Sequence, residues 1–345
     1  MNKNPLVGAV VAALSLTGCQ SILSLEDDQA EKTSHISQSV YEIEYQSAQT
    51  FLNQSSLLER VFNDFCTSED KDPSAVKQQW YETMRAWMAL QGQERGPASA
   101  LEQSWNVQFW PDKKNTTGRK MSALAKADHV WSAQEISTRS VTVQGLGALE
   151  WLLYDSVSTL ETNRNTCSTG VSIAQNLNAK AKMIAQAWGQ NPWKTMQKTE
   201  WESEYISLLS NQLEYSMKKL SRPMAKIGHP RAYFSESWRS GTSLANLKAN
   251  VQSMQILYFA NGGGLDALLR EQGKSELADR VSRQFDITLD TWPEEKSLFT
   301  ALQTVGGYRT VLAQYNKLEQ LKYLIHEEVA IELGVVIGFN ATDGD

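Results

Sequence analysis

Gly145-Leu146-Gly147-Ala148-Leu149-Glu150-Trp151-Leu152-Leu153-Tyr154 carries a single charge in an otherwise apolar and small-residue run. Read as a helix, it places residues three and four apart on one face, so Glu150 shares a stripe with Leu146, Gly147, Leu153 and Tyr154. A carboxylate in that setting must find a cationic or hydrogen-bonding partner or take up a proton. Gly147 lets another backbone or a ligand approach closely. The plainer reading is a glycine at a helix–helix contact beside a structurally paired Glu150.

The helical period continues on both sides of this run. Upstream, Ile36, Val40 and Ile43, then Phe51, Leu52, Leu58, Val61, Phe62 and Phe65, recur at steps of three and four, as do Val76, Trp80, Met84, Trp87 and Met88. Such Trp and Met stripes read as bundle core. Asp72-Pro73-Ser74 starts a helix and Gly92 to Pro97 closes one. Downstream, Asn165-Thr166-Cys167-Ser168 separates the motif helix from one over Val171 to Trp188, and Gly189-Gln190-Asn191-Pro192 breaks the chain again. A long helix is expected over Trp193 to Leu220, ended by Arg222-Pro223. Further helices fall over Leu244 to Phe259, Leu265 to Gln272, Glu276 to Trp292 and Tyr308 to Gly338. Ala260 to Leu269 echoes the glycine-rich start at Gly145. No alternating β-branched run occurs, so the fold class expected is all-α with slight strand content. The length exceeds a usual single core. It divides into 38–190 and 191–345, each an expected helical bundle.

The amino terminus reads as an export and anchoring signal. Lys3, the apolar run Leu6 to Leu16 and Leu16-Thr17-Gly18-Cys19 fit a lipobox. Residues 1–18 are expected to be removed, leaving a lipidated Cys19 on a polar tether over 19–37. Gln20 rather than Asp follows the cysteine, and the resemblance to proteobacterial lipoproteins then implies the inner leaflet of the outer membrane, facing the periplasm. The balance of 39 Asp+Glu against 33 Lys+Arg argues against a nucleic-acid partner. With Cys19 lipidated, Cys66 and Cys167 remain. An oxidising compartment makes a disulfide the expectation, two buried free thiols being the alternative.

Four segments carry a family resemblance. Gly145 to Glu150 resembles the Gly-x-His-x-x-Glu motif of the imelysin family, bacterial envelope proteins linked to iron acquisition and once classed as metallopeptidases. Gly147 stands where that motif has histidine. Phe109-Trp110-Pro111-Asp112 resembles the family's Phe-Trp-Pro-Asp loop, and Ser237-Trp238-Arg239-Ser240-Gly241 its Trp-Arg-Ser segment. Gly338 to Asp345 resembles the ending of one branch in which the motif's histidine is commonly absent. The resemblance implies two four-helix bundles side by side with a functional groove between them.

The chemistry to seek is narrowed by what is missing. The four histidines lie singly, and His326-Glu327-Glu328 has Ala330 where a zincin needs its second histidine. There is no Gly-x-Ser-x-Gly elbow and no phosphate-binding loop. No catalytic residue is assigned, and the loss of the motif histidine counts against a peptidase. The expectation is a non-catalytic binding module in iron acquisition. Its ligand, iron, an iron complex or an iron-uptake protein, would be held by Glu150, Arg239, Asp112 and Trp110 with Gly145 and Gly147. Arg239 is the leading partner for Glu150, since a guanidinium can pair bidentately with a carboxylate. No cofactor is certain; iron or another divalent metal on an oxygen-rich site remains open. The alternatives are a metal-dependent hydrolase and a structural lipoprotein that docks other envelope proteins.

Overall fold

Apolar stripes at helical spacing organise the whole chain. The computed structural model describes residues 34–335 except residue 128. Helix α1 (Gln38–Thr67) buries Val40, Ala48, Phe51, Leu58, Phe62 and Phe65 along one face and lies against α2 (Ser74–Trp87), which buries Val76, Trp80, Met84 and Trp87. Two single-turn helices, α3 (Ala98–Leu101) and α4 (Ser104–Val107), follow. Then come α5 (Thr116–Lys126) and α6 (Ala133–Ser137), the latter held at its start by a Ser132/Glu135 capping box. Helix α7 (Gly145–Tyr154) is buried almost all round and packs on α2, α5 and α8 (Arg164–Ala187). Helices α1, α2, α7 and α8 thus form one packed set.

A second set is built on α9 (Lys198–Met224), which contacts α10 (Ser243–Phe259) and α14 (Val305–Lys322). Helices α11 (Leu265–Glu271) and α12 (Ser275–Asp290) complete it, α12 against both α10 and α14. The single turn α13 (Leu298–Ala301) precedes α14, whose end widens into a π-helical stretch over Tyr323–Val329 before α15 (Ala330–Glu332). Among the described residues the chain from His35 forms one compact unit. Aromatic rings run from the end of α8 into α9: Trp188 on Trp193 at 5.3 Å, Trp193 on Trp201 at 5.0 Å, Trp201 on Tyr205 at 5.1 Å. The fold is all-α. Among the described residues the β pairing is an isolated bridge between Lys226 and His229, and no helix is long and apolar enough to cross a membrane.

Cys66 and Cys167 form a disulfide with Cα atoms 5.6 Å apart, tying the last turn of α1 to the first turn of α8. By limiting the unfolded chain, a bridge of this span typically contributes about 2–4 kcal/mol.

Helix boundaries differ from the sequence expectation at three places. The last helix, expected over Tyr308 to Gly338, begins at Val305 and ends at Glu332, where Gly334 takes a φ of 66°. Asn165 to Ser168 is no separator: α8 begins at Arg164, because Asn163 caps it by accepting the Thr166 N–H at 3.0 Å. The helix expected from Trp193 starts instead at Lys198, where Gln197 and Glu200 form a capping box, and runs past Pro223 to Met224. Pro223 is tolerated in the last turn, where its carbonyl accepts the Arg231 N–H at 2.7 Å. Gly145 and Gly264 both stand where a side chain has no room. A Cβ at Gly145 would collide with the carbonyl oxygens of Val107 and Asn106, and one at Gly264 with that of Tyr258. The expectations placed on Cys19, on the leader and on Gly338 to Asp345 fall outside the described residues.

Candidate functional site

Helix α7 carries Glu150 into the interior, 4% exposed. Its Oε1 accepts two hydrogen bonds, from the Ser240 backbone N–H at 2.8 Å and the Ser240 hydroxyl at 2.9 Å. Burial pushes the Glu150 carboxyl upward. The Ser240 N–H, the charge of Arg239 and the Ser240 hydroxyl oppose that rise, while nearby Glu236 adds to it.

The expected Glu150–Arg239 ion pair is not what forms. Arg239 donates from Nε to Asp155 at 2.7 Å and from a terminal nitrogen to Asn115 at 2.7 Å, and its guanidinium lies 4.3 Å from the Trp238 ring centroid. Asp155 ends α7 and sits close enough to take the arginine. Glu150 is therefore served by the residue that follows Arg239. Two non-glycine residues flank this arrangement in the left-handed region, Asn115 at φ 48° and Ser237 at φ 50°. Asn246 donates to the Ser237 hydroxyl at 3.2 Å, and the Ser237 carbonyl accepts the Ser240 hydroxyl at 3.1 Å and the Gly241 N–H at 3.1 Å. That compact turn aims the Ser240 N–H at the carboxylate.

Above Glu150 lies a small cavity of about 30 Å³, lined in part by Gly147, Glu150, Trp110, Asp112, Trp238 and Arg239. A Cβ on Gly147 would meet no atom within 4 Å. The glycine thus opens onto free space, and nothing packs closely against it. Gly145 has the opposite role, since its φ of +64° and the oxygens of Val107 and Asn106 demand glycine there. Trp110 donates from its indole to the Phe234 carbonyl at 3.0 Å. Asp112 spends its two oxygens on the Thr116 and Thr117 N–H groups, at 2.7 and 2.8 Å, capping α5. Around the cavity stand Glu150, Gly147, Arg239, Trp110 and Asp112, while Gly145 shapes the helix start behind them.

The sequence reading missed Ser240, Asp155, Asn115 and a buried pair deeper in. Lys219, on α9, meets Glu236 at 3.1 Å with both side chains almost fully enclosed. Gln91 donates to Glu236 at 2.6 Å and accepts from Lys219. Desolvation pulls the lysine's pKa down, and the Glu236 charge opposes this. The spacing of Lys219 on the buried face of α9 was the available signal, since lysine seldom sits there unless paired.

Among the described residues no three His, Cys, Asp or Glu gather closely enough to hold a metal ion. A lone carboxylate with a main-chain N–H and a hydroxyl does not fit a resident transition metal. Three of the four histidines are occupied separately: His35 with Ser37 and Met196, His129 with Glu135, His326 with Glu327.

An all-helical protein in which a buried carboxylate is received by main-chain and hydroxyl donors beside a small cavity is the class these features define. The imelysin family model, which carries a peptidase designation, matches residues 44–325, and the chain belongs to that family. It is similar in fold to an imelysin-like protein from Psychrobacter arcticum 273-4, at a TM-score of 0.75 and 20% identity over 88% of this chain and 96% of the other. A structure called iron-regulated protein A precursor, from Parabacteroides distasonis ATCC 8503, matches at a TM-score of 0.61 and 15% identity, over 85% of this chain and 95% of the other. No curated protein matches.

Proposed function

We propose that the protein is a non-catalytic binding module of iron acquisition, displayed to the periplasm on a lipid anchor at Cys19. An iron complex or an iron-handling partner would present a group to Glu150 through the opening at Gly147. The observation that supports this most directly is the pairing of a buried, proton-favouring carboxyl with free space over a glycine on the same helix face. The cavity has room for about one water-sized group. An entering cation would meet the Glu150 carboxyl through this opening, and the remaining ligands of the iron would come with the complex. That one structural neighbour is called an iron-regulated protein precursor supports the iron context.

The test is calorimetry of the purified protein against ferric citrate, with Glu150→Gln alongside. The variant is expected to bind at least about tenfold more weakly, a loss of roughly 1.4 kcal/mol. Equal binding by the two proteins would show Glu150 to be idle. The family's peptidase designation favours a second reading, a metal-dependent hydrolase. Cleavage of peptide substrates on addition of zinc or iron, abolished by Glu150→Gln, is the result that reading requires.

A further inference from the structure

A larger cavity of about 850 Å³ lies across the Gln108–Asp112 segment from the Glu150 cavity, and the segment helps line both. Its size falls within the range of pockets that enclose small organic ligands. Trp87, Trp105, Phe109, Trp110 and Tyr215 supply its aromatic surface. Trp105 stacks near Phe109 at 5.6 Å and remains 53% exposed, while Trp110 meets Tyr215 at 5.6 Å. An indole half in water at the mouth of a cavity is surface available to a flat ligand.

Charge is concentrated here against the trend of the chain. Lys113, Lys114, Lys218 and Arg222 line the cavity, facing Glu94 and Asp112. Both Asp112 oxygens are occupied by backbone N–H groups. Among the described residues none of the four cations makes an ion pair. Arg222 rests over the Trp110 ring at 5.7 Å. In a protein with a net charge of −6, four unpaired cations around one aromatic cavity favour an anion.

We propose that this cavity binds an aromatic carboxylate. Its ring lies among Trp105, Phe109 and Trp110, and its carboxylate meets Arg222 and the lysines. This goes beyond the Glu150 site and does not rest on it. The experiment contains no metal, so failure of iron binding at Glu150 leaves it untouched. The purified protein is titrated by calorimetry with 2-naphthoate, and with 2-naphthol as the uncharged comparison. Saturable one-to-one binding is expected, at least about tenfold tighter than for 2-naphthol. Arg222→Gln and Trp105→Ala, both at partly exposed positions, should each weaken it at least about fivefold with the helical circular dichroism unchanged. Absence of saturation up to about 5 mM, equal affinity for 2-naphthol, or binding that both variants leave intact would overturn the proposal.

Discussion

Glu44 and Glu150 are buried to nearly the same degree, 1% and 4% exposed, on helix faces that are otherwise mostly apolar, yet they are held in opposite ways. Glu44 is gripped by one side chain, the Gln93 amide, at 2.7 and 2.6 Å to its two oxygens, and burial pushes its pKa up to about 8. Glu150 is received by a main-chain N–H and a hydroxyl from a strained turn, with a guanidinium nearby, and it lines a cavity. The first arrangement fastens α1 to the loop after α2. The second leaves a carboxylate pre-oriented beside free space. Burial alone therefore does not mark a site in this fold; fixed donors beside an opening do.

The largest effect separates the two residues by pH. Folded Glu44 keeps its proton up to about pH 8, whereas the unfolded chain loses it near 4.5. Between those values the folded state binds more protons, so this group removes stability as pH rises, by up to about 1.4 kcal/mol per pH unit. Glu44→Gln cannot lose a proton. Chemical denaturation from pH 4.5 to 8 should show wild-type stability falling relative to the variant, with the difference levelling off above pH 8. Parallel curves would mean that Glu44 is ionised in the folded protein and that the contrast with Glu150 is misdrawn.

A smaller loss is expected on the Glu150 side. Arg239→Met strips Asp155 of its ion pair and Glu150 of a favourable charge. Breaking a buried pair from one side typically costs about 3–5 kcal/mol, and the partial exposure of Asp155 puts this case near 2–3 kcal/mol. Denaturation midpoints at pH 7 would measure it. The double variant Arg239→Met with Asp155→Leu should recover much of the loss. No recovery would place the arginine's main role at Glu150 rather than Asp155.

What was legible in the chain follows the range of the interactions. The helix over Gly145 to Tyr154, the stripes of α1 and α2, and the need of Glu150 for a partner depend on neighbours within a turn or two. The disulfide was legible because two cysteines remained. Ser240 was not, since a main-chain N–H has no signature and its direction depends on a turn at Ser237 fixed by Asn246. Arg239 was given the wrong carboxylate for the same reason. Spacing along α7 offers Glu150 and Asp155 almost equally, and only docking of the segment after α9 chooses between them. The start of α8 was misplaced because a polar first turn, Asn165 to Ser168, has the composition of a loop, while the true cap, Asn163, stands two residues earlier.

The smallest change is the one that would make the two glutamates most unlike. Gly147 sits one turn before Glu150, and a side chain there would start in open space, so Gly147→His should fold with a stability change within about 1 kcal/mol. Replacing glycine inside a helix gains something in backbone entropy, which offsets part of any crowding farther out. The imidazole would stand beside the Glu150 carboxylate, adding a nitrogen ligand to an oxygen one. Calorimetry with zinc should show affinity raised at least about tenfold over wild type. Glu44→Gln added to this variant should leave the gain intact, whereas Glu150→Gln should erase it. Tight stoichiometric zinc binding by the wild-type protein would break the argument at its root, because the space over Gly147 would then belong to a metal site already complete without the histidine.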